Sequence, residues 1–371
     1  MLAATGLRIG RVRWRSWQRI AALLAVGLLG YVAVAWPLNR LARGFAGEPR
    51  TAIISHKLDF LRAHAGDYDV VLVGSSRFHY DIDPASLDAG LRGAGCPLRS
   101  FNFGVPGLTA AELSWLTETL AAVPGRHWRA VLIERPQLPL RTLRYLGSDR
   151  HRLGHVEPHQ LWLSYQALAT SARSRLNWGV DMIHEVLGYL YYQIGPGEIG
   201  RLVAQAPPEV PADGFTIDLG RDGFVPLEEE VSPLLKARAD RMDWSEFAER
   251  LVELRSRPAA AAPLSEMRLD HMREQIADAR RVAPIVVLTL LPQAIRGVVD
   301  DSASIVEAGA RGAFGNVPIV NMGDPQAHPR LFADGIWFDD DHLLGDGPAR
   351  LGHEMGQALC RAVPALRGGA S

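Results

Sequence analysis

Five short apolar runs constrain this chain more than any other feature, each ending at a glycine, a proline or a charge. Tyr68–Val73 runs into Gly74, Leu98–Phe103 into Gly104, and Arg129–Ile133 into Glu134. Pro284–Leu291 runs into Pro292, and Val317–Asn321 leads to Gly323. Such runs of strand length, bounded by turn residues, read as buried strands of a parallel sheet. Helical patterns lie between them: Thr109–Ala122, Leu264–Val282, Ser302–Phe314 and a last one over Gly347–Val363. Thr109 is placed to cap the first, whose apolar face carries Leu113, Leu116 and Leu120. The alternation predicts a doubly wound α/β sheet with right-handed crossovers. Ligands then gather at the carboxyl ends of the strands, at Gly74–Arg77, Gly104–Gly107, Glu134–Gln137 and after Leu291.

The third and fourth runs are separated by about 150 residues, far more than a crossover needs. An insertion is therefore expected at about 140–263, helical and aromatic-rich over Leu161–Gln193, then Pro- and acid-rich over Ala206–Glu230. A lid over the site, a docking surface and a simple cover for the sheet edge are the three readings, the last being the plainest.

The N-terminus adds a constraint of a different kind. Arg8, Arg11, Arg13, Arg15 and Arg19 form a basic segment over residues 1–19. An uncharged apolar stretch follows over residues 20–39. Roughly 20 such residues at ~1.5 Å each match the hydrocarbon thickness of a bilayer. Tyr31 and Trp36 stand toward its far end, where interfacial aromatics are favoured. The arginines would stay in the cytoplasm, leaving a linker over residues 40–51 and an exported body over 52–371. A cleaved signal peptide is the alternative, with Ala33-Val34-Ala35 as the cleavage site; the length of the run favours the anchor. The expected location is thus the inner membrane, single-pass, with the body in the periplasm or another extracytoplasmic space.

Net charge is −1 over 371 residues, which gives no electrostatic footprint for nucleic acid. Cys96 and Cys360 are the two cysteines; in an oxidising compartment they form one bridge, and otherwise they are two buried thiols. Without a Cys-x-x-Cys or a Cys/His cluster, neither redox catalysis nor structural zinc is expected.

Three segments carry candidate chemistry. Gly74-Ser75-Ser76-Arg77 places a hydroxyl in the turn after a strand, where backbone N–H groups opening a helix can receive an oxyanion. Read alone, it is a turn and a helix cap. Ser100-Phe-Asn102-Phe-Gly104-Val-Pro106-Gly107 follows the second strand; Gly104 has no Cβ to keep its N–H from a substrate, and Asn102 can brace the loop. Asp339-Asp340-Asp341-His342 precedes the last helix, with Asp346 at its cap. His342 is the candidate general base, and Asp339, three residues earlier, the carboxylate that orients it. A solvated acidic loop is the plain alternative.

Taken together and in this order, Gly74-Ser75-Ser76, Asn102-Phe-Gly104 and Asp339-Asp-Asp-His342 resemble blocks one, two and five of the SGNH (GDSL-type) hydrolases. The resemblance covers about Val70–Val363, apart from the insertion. It implies the SGNH hydrolase fold, a flavodoxin-like doubly wound parallel sheet, here with a helical insertion and a transmembrane helix. It further implies Ser76 as nucleophile, His342 as base, Asp339 as its partner, and the N–H groups of Ser76 and Gly104 as an oxyanion hole. No metal and no cofactor is implied. Two positions depart from the pattern. Ser75 stands where an aspartate is usual. Block three, normally Gly-x-Asn-Asp, is replaced by Glu134-Arg135-Pro136-Gln137, leaving Arg135 or Gln137 as substitutes for the asparagine donor. Removing one oxyanion donor costs ~10²–10³ in rate.

Within that class the chain is similar to the membrane-anchored branch of DltD-like and AlgJ/AlgX-like proteins. That implies acyl transfer to or from an exported cell-envelope glycan or lipid-linked sugar ester, alongside a membrane-bound O-acyltransferase. The second reading is an inactive module of the same fold that binds polysaccharide or such a partner.

Other residues have plainer expectations. His151, His155 and His159 recur every four positions, but Gly154 and Pro158 break that helix, so a solvated loop is expected rather than a metal site. Tyr189–Tyr192 fit packing better than sugar stacking. Arg77, His79 and Asp81 follow Ser76, where they could bind substrate, and Asp324 could cap or brace the site after the last strand; a surface or capping role is the plainer expectation for each.

Overall fold

The computed structural model describes residues 14–46, 51–135, 149–155, 157–169, 175–204, 219–229 and 233–368. The first half of the chain forms α1 (Trp14–Ala46), α2 (Ala52–His64), β1 (Val70–Gly74), α3 (Ser76–Asp81), α4 (Pro84–Gly93), β2 (Ser100–Gly104), α5 (Ala110–Ala121) and β3 (Ala130–Glu134). The insertion supplies α6 (Asp149–Leu153), α7 (Pro158–Ala169), α8 (Arg175–Gln193), α9 (Gly197–Ala204), α10 (Pro233–Ala239) and α11 (Trp244–Ser256). Then come α12 (Glu266–Ala279), β4 (Ile285–Leu290), α13 (Arg296–Ala310), β5 (Ile319–Asn321) and α14 (Gly347–Ala362).

The five expected strands all form and join one parallel sheet in the order β2-β1-β3-β4-β5. Side-chain period two divides the core between its faces. Val71 and Val73 of β1 face α2, α5 and α12, through Leu58, Leu116 and Met272. Val70 and Leu72 face α4, α11 and α14, through Leu87, Leu251 and Met355. Burial on both sides is why β1 and β3 read as near-continuous apolar runs, while β2 keeps Ser100 and Asn102 buried between its phenylalanines.

β3 and β4 pair in register from Ala130↔Ile285 to Glu134↔Thr289, so the insertion loops out without separating them. Part of it covers the sheet edge. The Asn102 N–H of edge strand β2 donates to the Asp222 carbonyl at 2.8 Å, and Tyr68 Oη donates to Asp222 Oδ1. Asp222 takes φ +53°, and Gly223 follows at φ +85°; a Cβ there would sit 2.3 Å from the Asn102 carbonyl oxygen. An edge blocked this way presents fewer unpaired groups to another chain. The end of the insertion joins the core: Phe247, Leu251 and Leu254 of α11 are buried in one apolar cluster with Phe332 and Trp337.

Thr109 caps α5 through a capping box with Glu112, which is the N-terminal signal realised. Two helix boundaries differ from expectation. α13 begins at Arg296 rather than Ser302, because Val299 buries on the α4 and α14 side of the sheet and extends the helix toward its N-terminus. α1 continues to Ala46 through the expected linker, because its last turns pack on α8 and α9. Residues 47–50 of that linker lie outside the described residues. Trp17–Phe45 of α1, 29 residues, is long and apolar enough to cross a membrane.

Cys96 and Cys360 form a disulfide, with Cα atoms 5.9 Å apart. It ties the segment after α4 to the end of α14. The two helices already touch backbone to backbone: a Cβ on Gly90 would lie 2.1 Å from the His353 carbonyl oxygen, and one on Gly356 2.2 Å from that of Leu87.

Candidate active site

β1 ends at Gly74, and the chain turns at once into α3. A Cβ on Gly74 would lie 2.7 Å from both Glu134 Oε2 and the Phe78 ring, so no other residue fits the turn. Ser75 is the N-cap of α3, with Oγ accepting from the Arg77 N–H at 3.4 Å. Ser76 is therefore the first residue of the helix, where the backbone N–H has no intrahelical partner. Glu134, at the end of the neighbouring strand β3, accepts the Ser75 N–H and pairs with Arg77. That buried pair fixes the turn from below.

The segment after β5 brings the other two residues. Trp337 and Leu343 form an antiparallel bridge that closes a tight loop around Asp339–His342. Asp339 Oδ1 accepts the N–H groups of Asp341 and His342, both at 2.8 Å. The same carboxylate lies 3.0 and 3.1 Å from His342 Nδ1. His342 Nε2 lies 2.9 Å from Ser76 Oγ. Ser76, His342 and Asp339 thus form one continuous hydrogen-bonded line, with Asp339 fully buried and His342 nearly so. With Asp339 accepting at Nδ1, the neutral imidazole carries its proton there and presents Nε2 to Ser76 as an acceptor. This is the arrangement in which a hydroxyl can lose its proton as it attacks a carbonyl.

The surrounding charge favours an ionised Asp339 and the imidazolium that forms when Ser76 gives up its proton. Burial works against an imidazolium at His342. The Asp339 hydrogen bond and the negative charges of Asp81, Asp339 and Asp341 outweigh it, and its pKa lies above the ordinary histidine value. Burial likewise opposes ionisation of Asp339, but the His342 hydrogen bond and charge, the Asp341 N–H and Arg238 hold its pKa below the usual carboxylate value. Arg238 of α10 reaches the loop from outside, 3.5 Å from Asp339 and 2.6 Å from Asp341, and also pairs with Asp340. The acidic loop is thus partly buried and partly compensated by Arg238 rather than freely solvated. Asp346 stands at the cap position of α14 without a side-chain cap and pairs with Arg350.

The second loop is braced by its own asparagine. The Gly104 N–H donates to Asn102 Oδ1 at 2.8 Å, so it is engaged within its own loop. Asn102 acts as a brace: its amide donates to the carbonyls of Phe78 and Ile82, locking β2 onto α3. Gly104 is required by proximity, since a Cβ would lie 2.3 Å from the His79 nitrogen. Farther along the loop, Gly107 takes φ +66°, and its N–H has no partner among the described residues.

Three residues expected to be surface or capping residues are buried there. Arg77 pairs with Glu134. Asp81 accepts the Leu343 N–H at 3.0 Å, tying α3 to the His342 loop; burial above all pushes its pKa well up. His79 Nδ1 lies 3.0 Å from Lys57 Nζ, and burial, then the Lys57 charge, holds its pKa well below the ordinary value. Lys57 also donates to the carbonyls of Asn102 and Gly104, at 3.0 and 2.8 Å. Its signal was present in the sequence: one of two lysines, on the apolar stripe of α2 beside Ile54, Leu58 and Leu61. Arg238 left no such trace, since nothing local separates it from other exposed arginines.

The Arg135 guanidinium is held by Asp301 at 2.7 Å and Gln293 at 3.2 Å. Pro136 and Gln137 lie outside the described residues.

Among the described residues no group of histidines, cysteines and carboxylates could hold a metal ion. His151 and His155 are not in a solvated loop: their rings stack at 4.2 Å, buried against Gly188 of α8. His159 stays half-exposed, 3.7 Å from Asp278. Asp324 accepts the N–H groups of Gln326 and Ala327 and holds the turn after β5. A surface cavity of about 640 Å³, lined by Val123, Trp128 and Val282, opens at the opposite end of the strands from Ser76. No protein-family model and no curated protein matches this chain.

Proposed function

We propose that this chain is a membrane-anchored, extracytoplasmic serine esterase or O-acyltransferase of the SGNH class, acting on an ester of a cell-envelope glycan or lipid-linked sugar. The hydrogen-bonded line Ser76–His342–Asp339 carries the reading. Its support includes the strand order, which is that of flavodoxin-like sheets, and a site at the carboxyl ends of β1 and β3 beside the switch in direction. The Cys96–Cys360 disulfide suits an oxidising compartment, and α1 suits an anchor. A membrane-bound O-acyltransferase is the natural partner for an anchored acyl-transfer enzyme.

Ser76 Oγ attacks the ester carbonyl while His342 Nε2 takes its proton, and Asp339 stabilises the imidazolium. The Ser76 N–H at the start of α3 receives the oxyanion. With the Gly104 N–H engaged, the unpartnered N–H in that loop is Gly107's. His342 then protonates the leaving alkoxide, which departs and leaves an acyl group on Ser76. Water resolves the acyl-enzyme to a carboxylic acid, or a sugar hydroxyl resolves it to a new ester.

The engaged Gly104 N–H and the absent block-three asparagine favour one competing reading, a binding module without turnover. The test is p-nitrophenyl acetate hydrolysis by the full chain in detergent, with Ser76→Ala and His342→Ala as controls. Turnover that falls by ~10⁴ or more in both variants supports the reading. Turnover equal in all three proteins, or absent from a folded wild type, overturns it in favour of the binding module.

A further inference from the structure

The insertion carries an apolar surface that neither the sheet nor the site uses. Between Val180 and Leu190, the exposed positions of α8 are Val180, Ile183, Val186, Leu187 and Leu190. At 100° per residue they fall within one arc of about 120°, and no polar residue interrupts them. Ile183 is 59% exposed. Asp181 and Glu185 lie outside the arc; Glu185 is buried beside His155. An unbroken apolar helix face of this kind in contact with water is unfavourable and marks a surface that meets something else.

Its neighbour identifies the occupant. The end of α1 packs on α8 and α9. Asn39, fully buried, donates to the carbonyls of Gln193 and Gly195 at 3.2 and 2.7 Å and accepts the Ile199 N–H at 3.3 Å. Arg43 donates to Gln193 Oε1 at 3.1 Å. Asn39 is the last residue of the uncharged stretch, one turn beyond Trp36, whose ring lies under the Arg40 guanidinium. The C-terminal end of α8 is therefore fixed at the level where α1 leaves the apolar layer.

We propose that α8 lies in the outer interfacial layer of the same bilayer that α1 spans, with the Val180–Leu190 face buried among headgroups and upper acyl chains. The proposal rests on the reading of α1 as a membrane span. The insertion then holds Ser76 at a fixed height over the membrane, suited to an ester on a membrane-tethered sugar. Interfacial helices of this type bury their apolar face ~5–10 Å into the headgroup boundary.

Depth-dependent quenching tests it on the full chain, reconstituted in vesicles of phosphatidylethanolamine and phosphatidylglycerol. A fluorophore is attached in turn at Leu28→Cys, Ile183→Cys and Lys236→Cys, the last on α10. Lipids carry a nitroxide near the headgroup or deep in the chain. The expected result is loss of about half the Ile183→Cys signal with the shallow nitroxide and less with the deep one, matching that burial depth. Leu28→Cys responds to the deep nitroxide, and Lys236→Cys to neither. If Leu28→Cys is quenched while Ile183→Cys answers only to aqueous iodide, the anchor stands and the interfacial helix is overturned. If neither is quenched by lipid, the span itself fails and the inference with it. If Ile183→Cys resists both lipid nitroxides and iodide, a protein surface covers the face, and the lipid assignment is overturned.

Discussion

His342 Nε2 stands 2.9 Å from Ser76 Oγ across 266 residues of chain. Two independently built pieces meet at that distance. One is the start of α3, held by Glu134 through Ser75 and Arg77. The other is the bridged loop Trp337–Leu343, held to α3 by Asp81 and to α10 by Arg238. Because both pieces are anchored, small changes beneath them should be read in rate rather than in fold.

Asp339→Asn tests the orienting role. An amide cannot stabilise the imidazolium, and its NH₂ can present a donor to Nδ1, which reverses the tautomer. The expected result is a fall in kcat for p-nitrophenyl acetate of about 10⁴, with little change in melting temperature. A fall of less than about tenfold would remove Asp339 from the proposed mechanism.

The pH dependence follows from His342. Its pKa lies above the ordinary ~6.5, and only the neutral imidazole can accept the Ser76 proton. kcat/KM should therefore rise with pH through an apparent pKa above that value. Arg238→Gln removes a cation from the loop, strengthens the negative field on His342, and should move this limb further up. Stability runs the other way. A raised folded-state pKa stabilises fully below the unfolded value, and that contribution disappears as pH rises through the folded value. His342→Ala should thus cost more stability near about pH 5.5 than near about pH 8.5, measured by thermal melts at both.

Lys57→Met tests the brace under the second loop. The substitution leaves the Asn102 and Gly104 carbonyls of the edge strand without their donor. Unsatisfied buried acceptors cost ~1–3 kcal/mol each, so denaturant unfolding should shift by that order. Lys57→Arg should rescue little, because a planar fork does not match three acceptors converging on one nitrogen.

Gly356→Ala tests the seam between α4 and α14. Its Cβ would meet the Leu87 carbonyl at 2.2 Å, and neither helix backbone can yield while Cys96–Cys360 ties them. Overpacking of this kind costs ~1–3 kcal/mol. Cys96→Ala with Cys360→Ala should lower stability by about 2–5 kcal/mol, seen equally on reduction of the wild type.

The sequence by itself determined the elements. A strand buried on both faces must be largely apolar, a helix cap needs its particular residue, and a turn needs its glycine. These are local energies, so the five strands, the Thr109 cap and the segments containing Ser76 and His342 were legible without coordinates. The tertiary structure decided everything that depends on a distant partner. It joined Cys96 to Cys360, buried His151 and His155 under α8, started α13 at Arg296, and brought Arg238 from the insertion onto the acidic loop. It also turned the Gly104 N–H toward Asn102. A donor belongs to whichever acceptor the packed fold places nearest, and that choice is made by the whole core, not by the residues on either side.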